Sequence, residues 1–231
     1  MIENSLLGAV PRKAYRRLLA GLEPVTLTFG EVLYEPGDTI RHVYFPGSSV
    51  VSLLTLADGH LALEVGLIGR DGMVGLPLVL GHKLSAVRAL VQGTGSAMRM
   101  GSAPFRKEFA LNPALQRELY GYTHSLMAQI SQTAACNRFH VVETRLARWL
   151  LMTHDRVKSD QFRMTHEFLG HMLGVRRVGV TKAAQALQKR GLISYSRGDI
   201  TVLDRAGLEA GACQCYAVVK DMHDGKQVRA A

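Results

Sequence analysis

Cysteine is scarce in this chain, with three residues in 231, at positions 136, 213 and 215. So small and late a set does not make a disulfide scaffold, and a reducing, cytoplasmic compartment is the simplest expectation. Long apolar runs are missing too. No window approaches 18 uninterrupted apolar residues, which argues against a membrane span. The opening MIENSLLGAVPRKAYRRLLAG lacks the basic-then-apolar run and cleavage site of a secretory leader. Acidic residues are outnumbered, 19 against 28 Lys and Arg, for a formal charge of +9. Lys and Arg exceed Asp and Glu by eleven to nine over residues 1–110 and by seventeen to ten over 111–231. The excess therefore sits in the second half, as expected of a region that meets an anionic partner. A ribosome-associated or membrane-surface protein would share that balance, so charge alone does not decide.

The hydrophobic fraction of 47% suits a packed globular chain rather than a disordered one. Residues 5–21 carry Leu6, Leu7, Val10, Leu18 and Leu19 around a basic stretch, which predicts one short leading helix. From Val25 to Met100, short β-branched runs alternate with turn signals such as Pro36-Gly37-Asp38, Pro46-Gly47, Asp58-Gly59 and Gly93-Thr94-Gly95. Strands at this interval leave no room for crossover helices, so an antiparallel sandwich or barrel is expected.

After Pro104 the period lengthens. Leu115, Leu119, Tyr122, Leu126 and Ile130 recur at three- and four-residue steps, predicting one helix over 112–138. A stripe that long needs a cover. A second copy of the chain is the economical answer, which makes those five residues the expected dimer interface. The alternative is that the stripe packs on its own β domain. A further helix is expected over 141–154, then a polar loop from Asp155 to Asp160.

Residues 165–190, THEFLGHMLGVRRVGVTKAAQALQKR, carry the strongest signal. Thr165 suits an N-cap, and Gly174 can supply the positive φ of a tight turn between helices. The second helix is expected to bury Val178, Val180, Ala183, Ala184 and Leu187 while showing Arg176, Arg177, Thr181, Lys182, Gln185 and Lys189. Two short strands around Arg197-Gly198-Asp199 then form a hairpin. Helix, glycine turn, polar-faced helix and wing together predict a winged helix-turn-helix that docks on duplex DNA, the arginines meeting guanine edges or phosphates.

The order of parts resembles the Crp/Fnr family of bacterial regulators over nearly the whole chain. FGEVLYEPGD (29–38) and HVYFPGSSVVSLL (42–54) resemble the opening strands of its β-roll sensor. The 112–138 helix is similar to its dimerisation helix, and LGHMLGVRRVGVTKAAQALQKRGLI (169–193) to its helix-turn-helix. The resemblance implies an α+β fold with an N-terminal antiparallel β-roll of the cyclic-nucleotide-binding type (1–110), a dimerisation helix (111–139) and a DNA-binding domain (140–231). It implies a homodimer on pseudo-palindromic double-stranded DNA, with RNA polymerase as a further partner. By position, Arg177 and Lys182 become base readers, Thr165 and His166 phosphate contacts, and Ser196 and Arg197 the wing tip. Val178 stands where well-known members carry a glutamate, and Arg176 where they carry a small N-cap.

The sensor departs further. Gly75 and Ser85 match the ligand-holding pattern, but Leu76 and Leu84 replace its glutamate and arginine. Cyclic AMP is therefore disfavoured, no cofactor is predicted, and Arg88 is left as a displaced cation. No cysteine precedes Cys136, so an N-terminal iron–sulfur site is excluded. His42, His60 and His82 are scattered candidates for haem or a cupin-like metal enzyme, and His166 and His171 lie five apart, not the four of a zincin helix. No catalytic residue and no metal are assigned. Cys213 and Cys215 have no evident partner, so a plain C-terminal helix is favoured over a redox or metal switch.

Overall fold

The computed structural model describes residues 3–57, 61–157 and 159–223. The chain divides into two compact units, 1–54 with 67–127 and 55–66 with 128–231. His60 and the Asp58-Gly59 turn lie outside the described residues.

In the first unit, α1 (Ser5–Ala9) and α2 (Arg12–Leu19) stand where one leading helix was expected. Pro11 causes the break. It has no amide to donate, and it holds Val10 in extended backbone at φ −72°, ψ 132°. Two antiparallel sheets follow. One has the order β1 (Glu23–Leu27), β7 (Gly95–Gly101), β3 (His42–Pro46). The other runs β2 (Val32–Tyr34), β6 (Arg88–Gly93), β4 (Val50–Ala57), β5 (Leu61–Ile68), of which the 55–66 stretch counts with the second unit. Val43, Phe45, Val51 and Val91 are fully buried and supply core to both sheets. Each such side chain contributes roughly 1.5–3 kcal/mol over its exposed state. This is the antiparallel texture expected from the strand spacing.

Helix α3 (Ser102–Leu111) leads into α4 (Pro113–Phe139), whose span matches the expected 112–138 helix. Asn112 starts it, its side-chain oxygen accepting the Leu115 amide at 3.1 Å. The expected dimer stripe is covered at home, however. Leu115, Leu119, Tyr122 and Leu126 are only 0–5% exposed within the single chain, and Ile130 is half-buried. Side chains without accessible surface have nothing to offer a second copy. Exposed apolar groups of α4 include Tyr120 and Met127, at 53% and 62%, one heptad apart, with exposed Ala134 a heptad further and Phe139 at the helix end.

The second unit begins with the end of α4 and α5 (Val142–Val157). Its Leu146, Trp149, Leu150 and Leu151 are buried as expected. Helix α5 runs past Asp155 instead of ending in a loop there, because that carboxylate is held rather than solvated. Arg205 donates to it at 2.7 Å and the Tyr216 hydroxyl at 3.0 Å. Of the expected 155–160 loop, Lys158 lies outside the described residues. The rest of the unit is β8 (Gln161–Arg163), α6 (His166–Leu173), α7 (Arg177–Lys189), β9 (Ile193–Ser196), β10 (Asp199–Val202), α8 (Arg205–Gly211) and α9 (Cys215–His223). The wing is a three-stranded sheet in the order β8-β10-β9, with Phe162 opposite Ile200, rather than a bare hairpin.

Candidate nucleic-acid interface

Helices α6 and α7 meet through local chemistry that the sequence specifies. Thr165 lies outside the helix, and its hydroxyl accepts the Phe168 amide at 3.1 Å, satisfying one of the first-turn donors. Gly174 closes α6 at φ 61°, ψ 40°, a left-handed conformation that costs glycine little. Gly170 is needed for another reason. A Cβ there would stand 2.9 Å from the Val175 carbonyl oxygen, so the turn's backbone packs directly on α6.

The buried face of α7 is Val180, Ala183, Ala184 and Leu187. Val178 does not belong to it. It is 59% exposed, on the outer side with Arg176, Arg177, Lys182 and Gln185. Two residues after the N-cap, and at about 100° per residue, it falls on the side of α7 opposite Val180 and Leu187, so an apolar side chain is presented to whatever α7 meets. Thr181 is half-buried, its hydroxyl donating to the Arg177 carbonyl at 3.1 Å.

His166 lies between the parts rather than on the open face. Its Nδ1 is 2.9 Å from the Thr181 hydroxyl oxygen, and its ring stacks on Tyr195 of β9 at 4.1 Å and 14°. Since the hydroxyl proton goes to Arg177, Nδ1 is the donor in that pair, and Nε2 is buried without a partner. Partial burial first, and the Arg177 charge second, hold the imidazole below its ordinary pKa, so the neutral ring is the resident form. This brace is not visible in the sequence, because residues 166, 181 and 195 share no motif. Tyr195 is fixed in turn through its amide, which donates to the Gln188 side chain at 2.9 Å.

At the wing tip, Arg197 and Gly198 take φ 51° and 90°, the paired left-handed conformation of a tight two-residue hairpin. That turn exposes Ser196 and Arg197. Thr165, Arg176, Arg177, Lys182, Gln185, Ser196 and Arg197 are thus all exposed on α6, α7 and the wing. None of the four cations among them has a carboxylate partner among the described residues. Unpaired guanidinium and ammonium groups around a helix N-terminus suit bidentate contacts to bases and phosphates.

The three sensor candidates do not form a comparable site. The Ser85 hydroxyl donates to the Val87 carbonyl at 2.6 Å and accepts the Val87 amide at 3.2 Å, closing its own turn. Arg88 is ion-paired to Glu35 at 2.8 Å. Gly75 takes φ 103°, and a Cβ there would reach 3.0 Å from the Val43 side chain. Ser85 borders an open depression of about 670 Å³ with Pro77, Leu80, His82 and exposed Leu84, which neither Gly75 nor Arg88 lines. Among the described residues, neither His42 nor His82 joins a set of ligand atoms near enough to share an ion.

These elements define a winged helix-turn-helix protein with an antiparallel β unit ahead of it. Residues 144–210 match the family model of the Crp-like helix-turn-helix domain. Solved structures share the fold over most of the chain. FixK2 from Bradyrhizobium japonicum aligns with a TM-score of 0.70 at 15% identity, over 83% of this chain and 98% of its own. A CRP-family transcriptional regulator from Thermus thermophilus gives 0.68 at 20%, over 81% and 96%. The c-di-GMP-responsive global regulator CLP of Xanthomonas campestris gives 0.67 at 18%, over 83% and 99%. No curated protein sequence matches. The 144–210 segment is a Crp-like helix-turn-helix domain, and the chain has the fold of Crp/Fnr transcription regulators. Among the described residues no helix is long and apolar enough to cross a membrane.

Proposed function

We propose that this chain is a homodimeric, sequence-specific regulator of transcription, with residues 1–110 as sensor, 111–139 as stem and 140–231 as DNA-reading head. The observation that carries this reading is the outer face of α7 and the wing, where Arg176, Arg177, Lys182 and Arg197 are exposed and unneutralised around a braced helix N-terminus. Arg177 and Lys182 read base edges, and Thr165, Ser196 and Arg197 hold phosphates and set the register. Exposed Val178 gives apolar contact, suited to a thymine methyl. Two copies place their α7 helices about 34 Å apart on a pseudo-palindromic site. The dimer contact is the outer heptad face of α4, Tyr120, Met127 and Ala134, since the inner stripe is already covered. RNA polymerase is the further partner of such a regulator at a promoter.

The test is selection of genomic fragments by the full-length protein at fixed salt, with its mass in solution measured alongside. Enriched fragments sharing an inverted repeat, bound by a dimer, are expected. A monomer that retains random duplex equally well would overturn the reading. Met127→Asp is expected to shift the species toward monomer and weaken operator binding. Leu119→Ala should instead cost about 2–5 kcal/mol of folding stability.

A further inference from the structure

Cys136, His140, Cys213 and Cys215 converge although up to 79 positions separate them in sequence. Their Sγ and ring-nitrogen atoms all lie within 4.8 Å of one another. Cys136 and His140 are one helical turn apart at the end of α4, and Cys213 and Cys215 flank the start of α9. Cys136 Sγ lies 3.5 Å from Cys213 Sγ, and Cys215 Sγ lies 3.5 Å from His140 Nδ1. All three cysteines are free thiols and buried, and His140 is half-buried. Sequence reasoning found no partner for Cys213 and Cys215, whereas the fold supplies two.

We propose that these four side chains bind a single thiophilic divalent ion, zinc by preference, in a closed tetrahedral Cys3His site. The dimensions fit a mononuclear centre. Zinc–thiolate bonds of about 2.3 Å put neighbouring ligand atoms of a tetrahedron roughly 3.8 Å apart. The two 3.5 Å separations are already at that edge length, and the remaining gaps close by an ångström or less. A polynuclear iron–sulfur cluster needs its thiolates spread across the cluster core, wider than this set stands.

The surroundings supply an independent argument. Arg145 and Arg148 of α5 are buried, at 7% and 6% exposure, and neither has a carboxylate partner among the described residues. Arg148 donates to the Thr133 hydroxyl at 2.7 Å, and Arg145 to the Asn137 side chain at 2.7 Å and the Leu173 carbonyl. The Nε of each is buried without a hydrogen-bond partner. Buried cations call for anionic charge nearby, and three thiolates with a neutral imidazole around Zn²⁺ carry a net charge of −1. Gln132 donates to Cys215 Sγ at 3.0 Å, the outer hydrogen bond that orients a thiolate ligand.

Binding replaces three S–H bonds by S–Zn bonds and releases three protons to solvent, so affinity rises with pH. With four protein ligands no position stays open for water, so the site pins the α9 segment to the end of α4 rather than catalysing.

The experiment uses full-length protein purified under reducing conditions, with no DNA present, so failure of DNA binding and failure of this site read out separately. Elemental analysis is expected to find about one zinc per chain. Cobalt(II) exchanged into the site should give the intense visible bands of tetrahedral cobalt and a thiolate-to-cobalt charge-transfer band. His140→Gln, at the least buried ligand, should keep the charge-transfer band with at least a tenfold weaker affinity. Cys213→Ser should reduce the band's intensity by about a third, provided circular dichroism shows it folded. Zinc-free protein whose cobalt spectrum stays octahedral overturns the proposal. So does iron with stoichiometric inorganic sulfide, or a Cys136–Cys213 disulfide whose reduction restores no metal binding.

Discussion

Arginines are handled differently in different parts of this protein. In the first unit Arg17, Arg88 and Arg99 are each met by a carboxylate, Glu108 at 3.6 Å, Glu35 at 2.8 Å and Glu23 at 2.7 Å. Two arginines of the second unit are paired in the same way. Arg190, just past the end of α7, pairs with Glu143 at 3.1 Å, and Arg205 pairs with Asp155 at 2.7 Å. At the start of α7 and on the wing, four cations stand exposed together, Arg176, Arg177, Lys182 and Arg197, with no such partner among the described residues. Exposed ion pairs stabilise little, about 0–1 kcal/mol, so their absence is a weak statement about folding. It bears on binding, because four unpaired cations lie together on one domain and need not break an internal pair before meeting phosphate.

The most direct way to break that contrast is to remove one kind of arginine and then the other. The double substitution Arg177→Ala with Lys182→Ala should weaken specific DNA binding by 100-fold or more, on the basis of about 1–3 kcal/mol per base reader. The dependence of log affinity on log salt should become shallower as the cations are lost. Arg99→Ala, which removes a charge Glu23 already meets, should leave affinity at constant salt unchanged. Fluorescence anisotropy at several salt concentrations measures both. An equal loss from the two would show that net charge, and not the reading face, governs binding.

How far this contrast was legible in the sequence differs by element. The helix-turn-helix could be read because its signals are local: Thr165 caps within three residues, Gly174 turns the chain, and Arg197-Gly198 fixes the wing turn. The span of α4 was legible from its period. Its covered side was not, since an apolar stripe looks the same whether it faces its own β unit or a second copy. Residues Gln161–Arg163 carry no strand pattern of their own and become β8 only through pairing with β10. Val178 reads as inward from its apolar type, but its place on α7 is opposite buried Val180 and Leu187. The partners of Cys213 and Cys215 lie more than 70 positions away, beyond any local reading.

A smaller effect should follow from the backbone that presents the cations. At Gly170 an added Cβ would meet the Val175 carbonyl oxygen at 2.9 Å, and a carbonyl cannot swing aside as a flexible side chain can. Gly170→Ala is therefore expected to destabilise the head by about 1–3 kcal/mol, as overpacking does. Urea unfolding measures this directly. Gly179→Ala is the matched control. It lies on α7 with nothing within 4 Å of its Cβ position, so alanine should be neutral or slightly stabilising there through its better helix propensity. If both variants unfold alike, the close approach of turn and helix does not determine how α7 is held.

The smallest expected effect is a pH dependence, and it distinguishes the cation proposed to contact DNA from the histidine behind it. His166 has a depressed pKa in the folded protein, chiefly from partial burial and then from Arg177, whereas in the unfolded chain it returns to about 6.5. Below that value the unfolded state binds the extra proton first, so the contribution of neutral His166 is full above about pH 6.5 and falls away as pH drops toward the folded-state pKa. Protonation would also put an N–H at Nε2, which is buried without an acceptor. Wild-type stability relative to His166→Gln should therefore fall between pH 7 and pH 5, and Tyr195, stacked on the ring, should report the change by fluorescence or NMR. Arg177→Ala removes the nearby positive charge, so the same transition should move to higher pH. A transition that stays in place in Arg177→Ala would mean that the recognition arginine does not act on the brace.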